Sequence, residues 1–566
     1  MLEALFELFV PLVVASIIDQ GIRRHDSKHI LWMCLLMLLL AGIGLACSVT
    51  AQYFSAKAAV GASARMRQTL FDHIMDLDYS SMDRVGPSTL LTRITSDINQ
   101  VQNGINLTLR LLLRSPFIVF GAMVMAFTID RRLSLIFGGA ILLLFLVVFG
   151  VMFLTRPVYR KVQSGLDRLL SLTRENLAGV RVIRAFNLQE EEVGHFREDN
   201  DKLTALQNLA GRISGLTNPV TFVIINYAII ILIWSGALKV QASLLSVGQV
   251  VALYNYMSQI LVELIKLANL IVSITKAMAC YGRIQDVFDI ESSITEGNTE
   301  GNTEGETDSK KADSRRIVEF SHVSFVYEGG EGEAISDISF TADQGETIGI
   351  IGGTGSGKST LANLICRFYD AKSGKIEIQG IDVKEYKSEA LRKMISVVPQ
   401  KAQLFQGTIR SNLTLGNPKA SEDDIWTALK ISQAAEFVEK LPQGIDAPVA
   451  QGGRNYSGGQ RQRLTIARAM VQKAPILIMD DSASALDYAT DAALRQAIRS
   501  IENRPAVFIV SQRTASIMNA DKILVLHDGR LMGQGRHEDL LESCQVYREI
   551  YESQFKGQEG GSYENN

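Results

Sequence analysis

The sequence predicts a multi-domain chain of two fold classes, an all-α membrane-spanning front with long helical extensions followed by an α/β domain. Three observations predict it. Long uncharged apolar runs recur through the first half, an acidic low-complexity stretch follows, and beyond it strand-like segments alternate with helical ones. At 566 residues the chain exceeds one domain. A net charge of −3 argues against nucleic acid as the main partner, since phosphate backbones call for a basic surface. The five cysteines (Cys34, Cys47, Cys280, Cys366, Cys544) lie far apart, without metal or disulfide spacing.

The apolar runs occupy residues 30–49, 115–129, 133–155, 213–238 and 240–262. Crossing the hydrocarbon as helix takes about 20 residues, which four of them supply. The shorter 115–129 pairs with 133–155 across the polar turn Asp130-Arg131-Arg132, a re-entering hairpin of two spans. Residues 8–18, read as the tail of a clipped first span, make six in a domain covering 1–290. That run follows Glu3 and Glu7 rather than a basic segment, so it does not read as a signal peptide.

Connections between spans alternate short and long. The long ones, 55–115 and 155–212, carry seven and ten Lys/Arg, against six in the three short ones together. The positive-inside rule therefore places the long loops, and the domain after the last span, in the cytosol. Both long loops are helical in pattern, each with a polar break: Asp83-Arg84-Val85-Gly86-Pro87-Ser88 and Ala185-Phe186-Asn187-Leu188-Gln189-Glu190. Glu263 and Lys266 share one helical face near membrane depth, where ionisable groups line a cavity or pair with each other. Asn226 and Tyr227 in span five read as helix-packing groups ahead of pore-lining ones.

Residues 291–314 hold the repeat Thr295-Glu-Gly-Asn, Thr299-Glu-Gly-Asn, Thr303-Glu-Gly-Glu, too acidic and too poor in apolar groups to bury a core. A disordered linker is expected there, an α/β domain over 315–555 and a disordered tail over 556–566. Within the α/β domain, strand-like Thr347-Ile-Gly-Ile-Ile runs into Gly352-Gly353-Thr354-Gly355-Ser356-Gly357-Lys358-Ser359-Thr360 and then a helical pattern. The spacing G-x-x-x-x-G-K-S brings backbone N–H groups against phosphates, a lysine to their outer oxygens and a hydroxyl to Mg²⁺. This is a P-loop nucleotide-binding domain. The apolar strand Ile476-Leu-Ile-Met-Asp480-Asp481 delivers carboxylates to its carboxyl edge, where a Mg²⁺-directed aspartate belongs. Ser457-Gly458-Gly459-Gln460 opens another helix and forms a second set of anion-binding amides.

On these motifs the sequence resembles the ABC transporter family over nearly its whole length. The resemblance implies that Ser457, Gly458, Gly459 and Gln460 are the signature loop, which binds the ATP held by an opposing nucleotide domain. It implies an exporter-type half-transporter, two halves assembling in the bilayer, with ATP and Mg²⁺ as cofactors. It also implies that Tyr327 stacks on adenine and that Ser359, Gln400 and Asp480 serve Mg²⁺. Ser484, Ala485, Leu486 and Asp487 match the loop that crosses the dimer, and Gln451-Gly452-Gly453-Arg454 a segment near the coupling helices, which the two polar breaks match.

Two positions depart from the family pattern. The residue after the Mg²⁺ aspartate is Asp481 where the family has glutamate, and the switch position is Gln512 where it has histidine. A general base drawn back by ~1.5 Å loses rate. Glutamine donates a hydrogen bond but carries no charge. The expectation is therefore a site that binds ATP and hydrolyses it slowly, in a heterodimer whose partner is competent. The chain is expected to export lipophilic, drug-like compounds from a bacterial plasma membrane. Peptide or lipid export, or a non-pump ATP-gated channel or regulatory subunit, are the alternatives, and the scarcity of charge rings counts against a channel.

Overall fold

The computed structural model describes residues 1–300, 315–330, 332–482 and 486–559. They form two units, Met1–His73 with Thr89–Asp289, and Ile74–Ser88 with the chain from Ile290 onward.

The first unit is helical. Five helices among the described residues are long and apolar enough to cross a membrane: Ser27–Asp76, Pro87–Ile129, Arg131–Ala178, Gln189–Gln241 and Val247–Phe288. Their outward side chains, such as Trp32 and Leu38 at 70% exposure, suit a lipid surface. The expected run 240–262 starts late. The preceding helix continues to Gln241, Ser243 turns the chain at φ 58°, and Ser246 with Gln249 forms a capping box that starts the last helix at Val247. The expected first crossing, 8–18, falls in helix Leu2–Ser16 and the π-helical turn Ile17–Ile22 that continues it, a stretch outside the five long apolar helices. Pro11 inside that helix has no N–H for the Glu7 carbonyl, which accepts from the Gln259 side chain at 3.4 Å. Tyr256 donates to the next carbonyl, Leu8, at 2.7 Å.

Glu263 is 3% exposed and fully engaged. It accepts from Ser115 (2.6 Å) and Lys266 (2.7 Å) and pairs with Arg114 at 3.2 Å. Arg114 also reaches Glu7 at 2.9 Å and Glu3 at 3.4 Å. The pair expected from sequence is thus part of a five-residue ion cluster. Arg114, counted above as a loop charge, is its centre, because helix Arg114–Ile129 begins one residue ahead of the apolar run. The Asn226 amide donates to the Phe222 carbonyl of its own helix at 2.7 Å.

Both polar breaks interrupt helices. The first forms the short helix Tyr79–Val85, capped by Asp78 accepting from Ser81 N–H (2.8 Å) and ended by Gly86 at φ 80°. The second turns at Asn187, φ 58°.

The second unit holds the sheets. Strands β1 (Arg316–Phe325), β2 (Ile335–Asp343), β4 (Ser373–Ile378) and β5 (Ile381–Asp382) form an antiparallel sheet of order β2-β1-β4-β5. Strands β3 (Thr347–Gly352), β6 (Ile395–Val398), β9 (Ile476–Asp480), β10 (Ala506–Val510), β11 (Lys522–His527) and β12 (Arg530–Gly535) form the second sheet. Its order is β12-β11-β3-β10-β9-β6, parallel except for β12. A small hairpin pairs β7 (Gly407–Thr408) with β8 (Pro448–Val449). Every residue of β3 and β10 is buried, which is why both read as unbroken apolar runs. Val510 lies level with Ile350 on one side and Asp480 on the other. The phosphate loop, the two carboxylates and Gln512 therefore leave the sheet at one carboxyl edge, where ligand crevices form.

Of the expected linker, residues 291–300 are docked rather than free: Thr299 bridges to Tyr386 and the Ser293 N–H donates to Asp78 at 2.8 Å. Residues 301–314 lie outside the described residues, as do 560–566 of the expected tail. Helix Gln545–Glu559 runs past the boundary expected at 555; Tyr547, Tyr551 and Phe555 recur every fourth residue along it, the last two rings 4.6 Å apart.

Candidate functional site

At this sheet edge opens a cleft of about 370 Å³ lined by Thr354, Gly355, Ser356, Gly357, Lys358, Ser359 and Thr360, with Tyr327, Gln400, Asp480, Asp481 and Gln512. Gly355 and Gly357 hold φ of 81° and 93°. A Cβ on Gly357 would stand 2.7 Å from Ile335 Cγ2 and 2.8 Å from the Ala334 carbonyl. Gly357→Ala is therefore expected to destabilise the loop by about 1–3 kcal/mol and abolish nucleotide binding. Thermal unfolding with a fluorescent ATP titration checks this, and wild-type values for both would contradict the loop geometry.

Lys358 opens helix Lys358–Ile365 and donates to the carbonyls of Gly352 (2.9 Å) and Gly353 (2.6 Å). Burial pushes its pKa below the usual lysine value, against the pull of Asp480 and Asp481. Ser359 Oγ donates to Asp480 Oδ1 at 3.2 Å. Burial raises Asp480 above the usual carboxylate range, the Ser359 hydrogen bond opposing and the Asp481 charge adding. The set fits a magnesium nucleotide. Ser359 and Asp480 are adjacent oxygen donors of the kind Mg²⁺ takes, Lys358 and the loop amides suit phosphate oxygens, and buried Ser356 Oγ has no hydrogen-bond partner among the described residues.

Asp481 sits at φ 45°, its N–H donating to the Val510 carbonyl at 3.0 Å. The Gln512 carbonyl accepts from the Gln554 side chain at 2.8 Å. Tyr327 shares a hydrogen bond with Thr360 Oγ1 at 3.0 Å and meets Tyr369 edge-on, ring centres 5.3 Å apart. The Tyr369 hydroxyl in turn donates to Asp83 at 2.7 Å. Glu328 accepts from Ser80 (3.1 Å) and Arg84 (3.3 Å), while Tyr79 packs on Phe368 with centres 4.5 Å apart. The first polar break is thus tied by these contacts to the residues around Tyr327. No spacing in the sequence announces Tyr369, Glu328 or Gln554, because their partners are remote in the chain.

The chain matches the family models "ABC transporter transmembrane region" over residues 1–264 and "ABC transporter" over 335–484. It is 37% identical over 558 residues to "Uncharacterized ABC transporter ATP-binding protein YfiB" of Bacillus subtilis, spanning 99% of this chain and 95% of that one. The chain belongs to the ABC transporter family. It is also 34% identical over 560 residues to the uncharacterized ABC transporter ATP-binding protein Rv1273c of Mycobacterium tuberculosis (98% and 94% of the two chains). Identity to an "ATP-dependent lipid A-core flippase" of Haemophilus influenzae is 31% over 496 residues (87% and 82%). In fold it is similar to a bacterial Atm1-family ABC exporter solved with ATP bound, with a TM-score of 0.78, 22% identity and coverage of 98% and 97%.

This ABC transporter is an exporter-type half-transporter, an integral membrane protein with one ABC domain in the cytosol. None of Ser457, Gly458, Gly459 and Gln460 lines its own cleft. They start helix Gly458–Val471, where Ser457 Oγ accepts from Gln460 N–H (3.3 Å) and Gln460 Oε1 from Ser457 N–H (2.9 Å). Of the expected dimer-crossing loop, Ser484 and Ala485 lie outside the described residues. Leu486 is buried, and Asp487 caps helix Tyr488–Arg499 by accepting from Thr490 N–H at 2.8 Å. Gln451–Gly453 forms a 3₁₀ turn with Gly452 at φ 69°.

Proposed function

We propose that this chain is one half of an ATP-driven heterodimeric exporter of lipophilic, drug-like compounds. Its own cleft binds ATP and hydrolyses it slowly, and its signature loop completes a faster site on the partner chain. The observation that carries the reading is that Asp481 and Gln512 line the same cleft as the phosphate loop, so both departures act on one nucleotide. Ser359, Gln400 and Asp480 would hold Mg²⁺, which when bound neutralises phosphate charge. Lys358 exchanges the Gly352 and Gly353 carbonyls for phosphate oxygens. Asp481 faces the attacking water with a shortened reach, and Gln512 offers the γ-phosphate a neutral donor. Two copies of this chain would make two slow sites, which favours a distinct partner with glutamate and histidine at these positions.

Tyr327 is proposed to stack on adenine, with Tyr369 relaying its position to the helix Tyr79–Val85. Tyr369→Phe keeps the ring and removes the hydrogen bond to Asp83. ATP affinity should hold while substrate-stimulated turnover falls about threefold to tenfold, the worth of roughly one hydrogen bond. Equal stimulation in wild type and variant would remove Tyr369 from the relay.

An apolar recess lined by Leu143, Val223, Tyr227 and Ile231 supports a lipophilic substrate. The relative named as a lipid A-core flippase supports a lipid amphiphile as the second reading. The deciding experiment reconstitutes the chain with its partner in vesicles and follows a lipophilic dye and a fluorescent lipid side by side. ATP-dependent accumulation of the dye supports the proposal, and movement of the lipid alone favours the flippase. Passive flux with bound, unhydrolysed ATP would indicate a channel.

A further inference from the structure

We infer that Gln554, on the C-terminal helix Gln545–Glu559, is a positioning residue for the switch loop and sets the direction in which Gln512 meets the γ-phosphate. The inference rests on the reading of Gln512 as the phosphate-sensing residue.

The loop after β10 enters the short helix Thr514–Ile517, whose N-cap, Arg513, supplies no capping side chain. A helix start leaves N–H groups unsatisfied, and Thr514 is completely buried, so its N–H has no access to water. Gln554 supplies the cap from another helix. Its Oε1 accepts from both the N–H (2.9 Å) and the hydroxyl (2.8 Å) of Thr514, while its Nε2 donates to the Gln512 carbonyl at 2.8 Å. One amide therefore holds the two peptide units on either side of Arg513. Ser511 Oγ accepts from the Arg513 N–H at 2.9 Å. The far end of the short helix is held as well: Arg495 donates to the carbonyls of Ala515 (3.0 Å) and Ser516 (2.9 Å), and is itself paired with Asp491 at 2.7 Å.

The backbone that carries Gln512 is thus set from outside the cleft, at a point firmly anchored in the unit. Helix Gln545–Glu559 is fixed by Tyr547, which is fully buried and hydrogen-bonded to His537 Nδ1 at 2.7 Å. The chemistry requires an amide at position 554, because one acceptor must face Thr514 and one donor must face Gln512. Gln512 has no charge to attract phosphate over a distance. Its contribution depends on hydrogen-bond direction, which weakens steeply below about 120°. A small rotation of the peptide after Gln512 would remove it.

The test measures the ratio of ATP to ADP affinity on the full-length protein in nanodiscs, by titration with fluorescent analogues of both nucleotides. Gln554→Leu is expected to lower the ratio about tenfold with ADP affinity unchanged, the effect of one hydrogen bond to a charged group. Gln554→Glu keeps the acceptor for Thr514, and so the melting temperature, but sets a carboxylate against the Gln512 carbonyl. It should lose the ratio equally, which separates positioning from folding. Gln512→Ala should lower the ratio to the same level, and combining it with Gln554→Leu should add nothing. If Gln512→Ala lowers the ratio and neither Gln554 variant does, the positioning role is overturned while the reading of Gln512 stands. Equal weakening of ATP and ADP in both Gln554 variants assigns Gln554 a purely structural part and overturns the inference. An unchanged ratio in Gln512→Ala overturns the reading of Gln512 and the inference with it.

Discussion

Asp481→Glu should raise the steady-state ATPase rate of the purified chain about tenfold to a hundredfold, within the range general-base catalysis supplies. The added methylene restores ~1.5 Å of reach toward the attacking water. In the wild type the Asp481 N–H is bonded to the Val510 carbonyl at 3.0 Å, which opposes a main-chain shift toward the water. A counter-effect is expected in stability. Asp481 lies at φ 45°, a conformation aspartate tolerates better than glutamate, so the faster variant should melt at a slightly lower temperature. Adding Gln512→His should raise the rate further, and Asp481→Asn should lower it below wild type. Phosphate release at saturating Mg-ATP measures all four proteins. Ordinary transporter turnover by the wild-type chain alone, unchanged by Asp481→Glu, would falsify the slow-site assignment.

Arg114→Ala should be the most destabilising single change in the membrane domain, by about 3–5 kcal/mol, the loss typical of breaking a buried ion pair. Arg114 contacts Glu3, Glu7 and Glu263, and Lys266 is the other cation of the cluster. Removing Arg114 leaves three carboxylates beside one ammonium. Glu263→Gln instead leaves two of each charge, so its cost should be smaller. The double variant Arg114→Ala/Glu263→Gln removes one charge of each sign and should recover part of the loss. Thermal unfolding in detergent ranks the three variants. A double variant no more stable than Arg114→Ala would show that the charges do not couple as the distances imply.

The membrane helices and the phosphate loop were legible because their signals are local. Crossing a bilayer demands a run of apolar residues, and cradling phosphate demands a strand, a glycine-bearing loop and a helix in immediate succession. Asp480 was legible for the same reason, as the polar end of a buried strand. Local signals erred at edges. The last membrane helix starts at Val247 rather than near 240 because a capping box, which hydropathy does not register, decides its start. The expected linker is docked through Glu300 because the Thr299 backbone pairs with Glu385 and Lys387, which composition does not foretell.

From the order of residues alone come the membrane-spanning front, the nucleotide loop, its magnesium-directed aspartate and the two substitutions beside it. Packing was needed to show that Asp481 and Gln512 share one cleft, and that Arg114, not Lys266 alone, balances Glu263. It was also needed to show that Gln554 caps the switch loop from 40 residues away. The physical reason is that helix, strand and turn preferences act between near neighbours. A buried charge or an uncapped helix must find its partner wherever the folded chain brings one, at no fixed spacing.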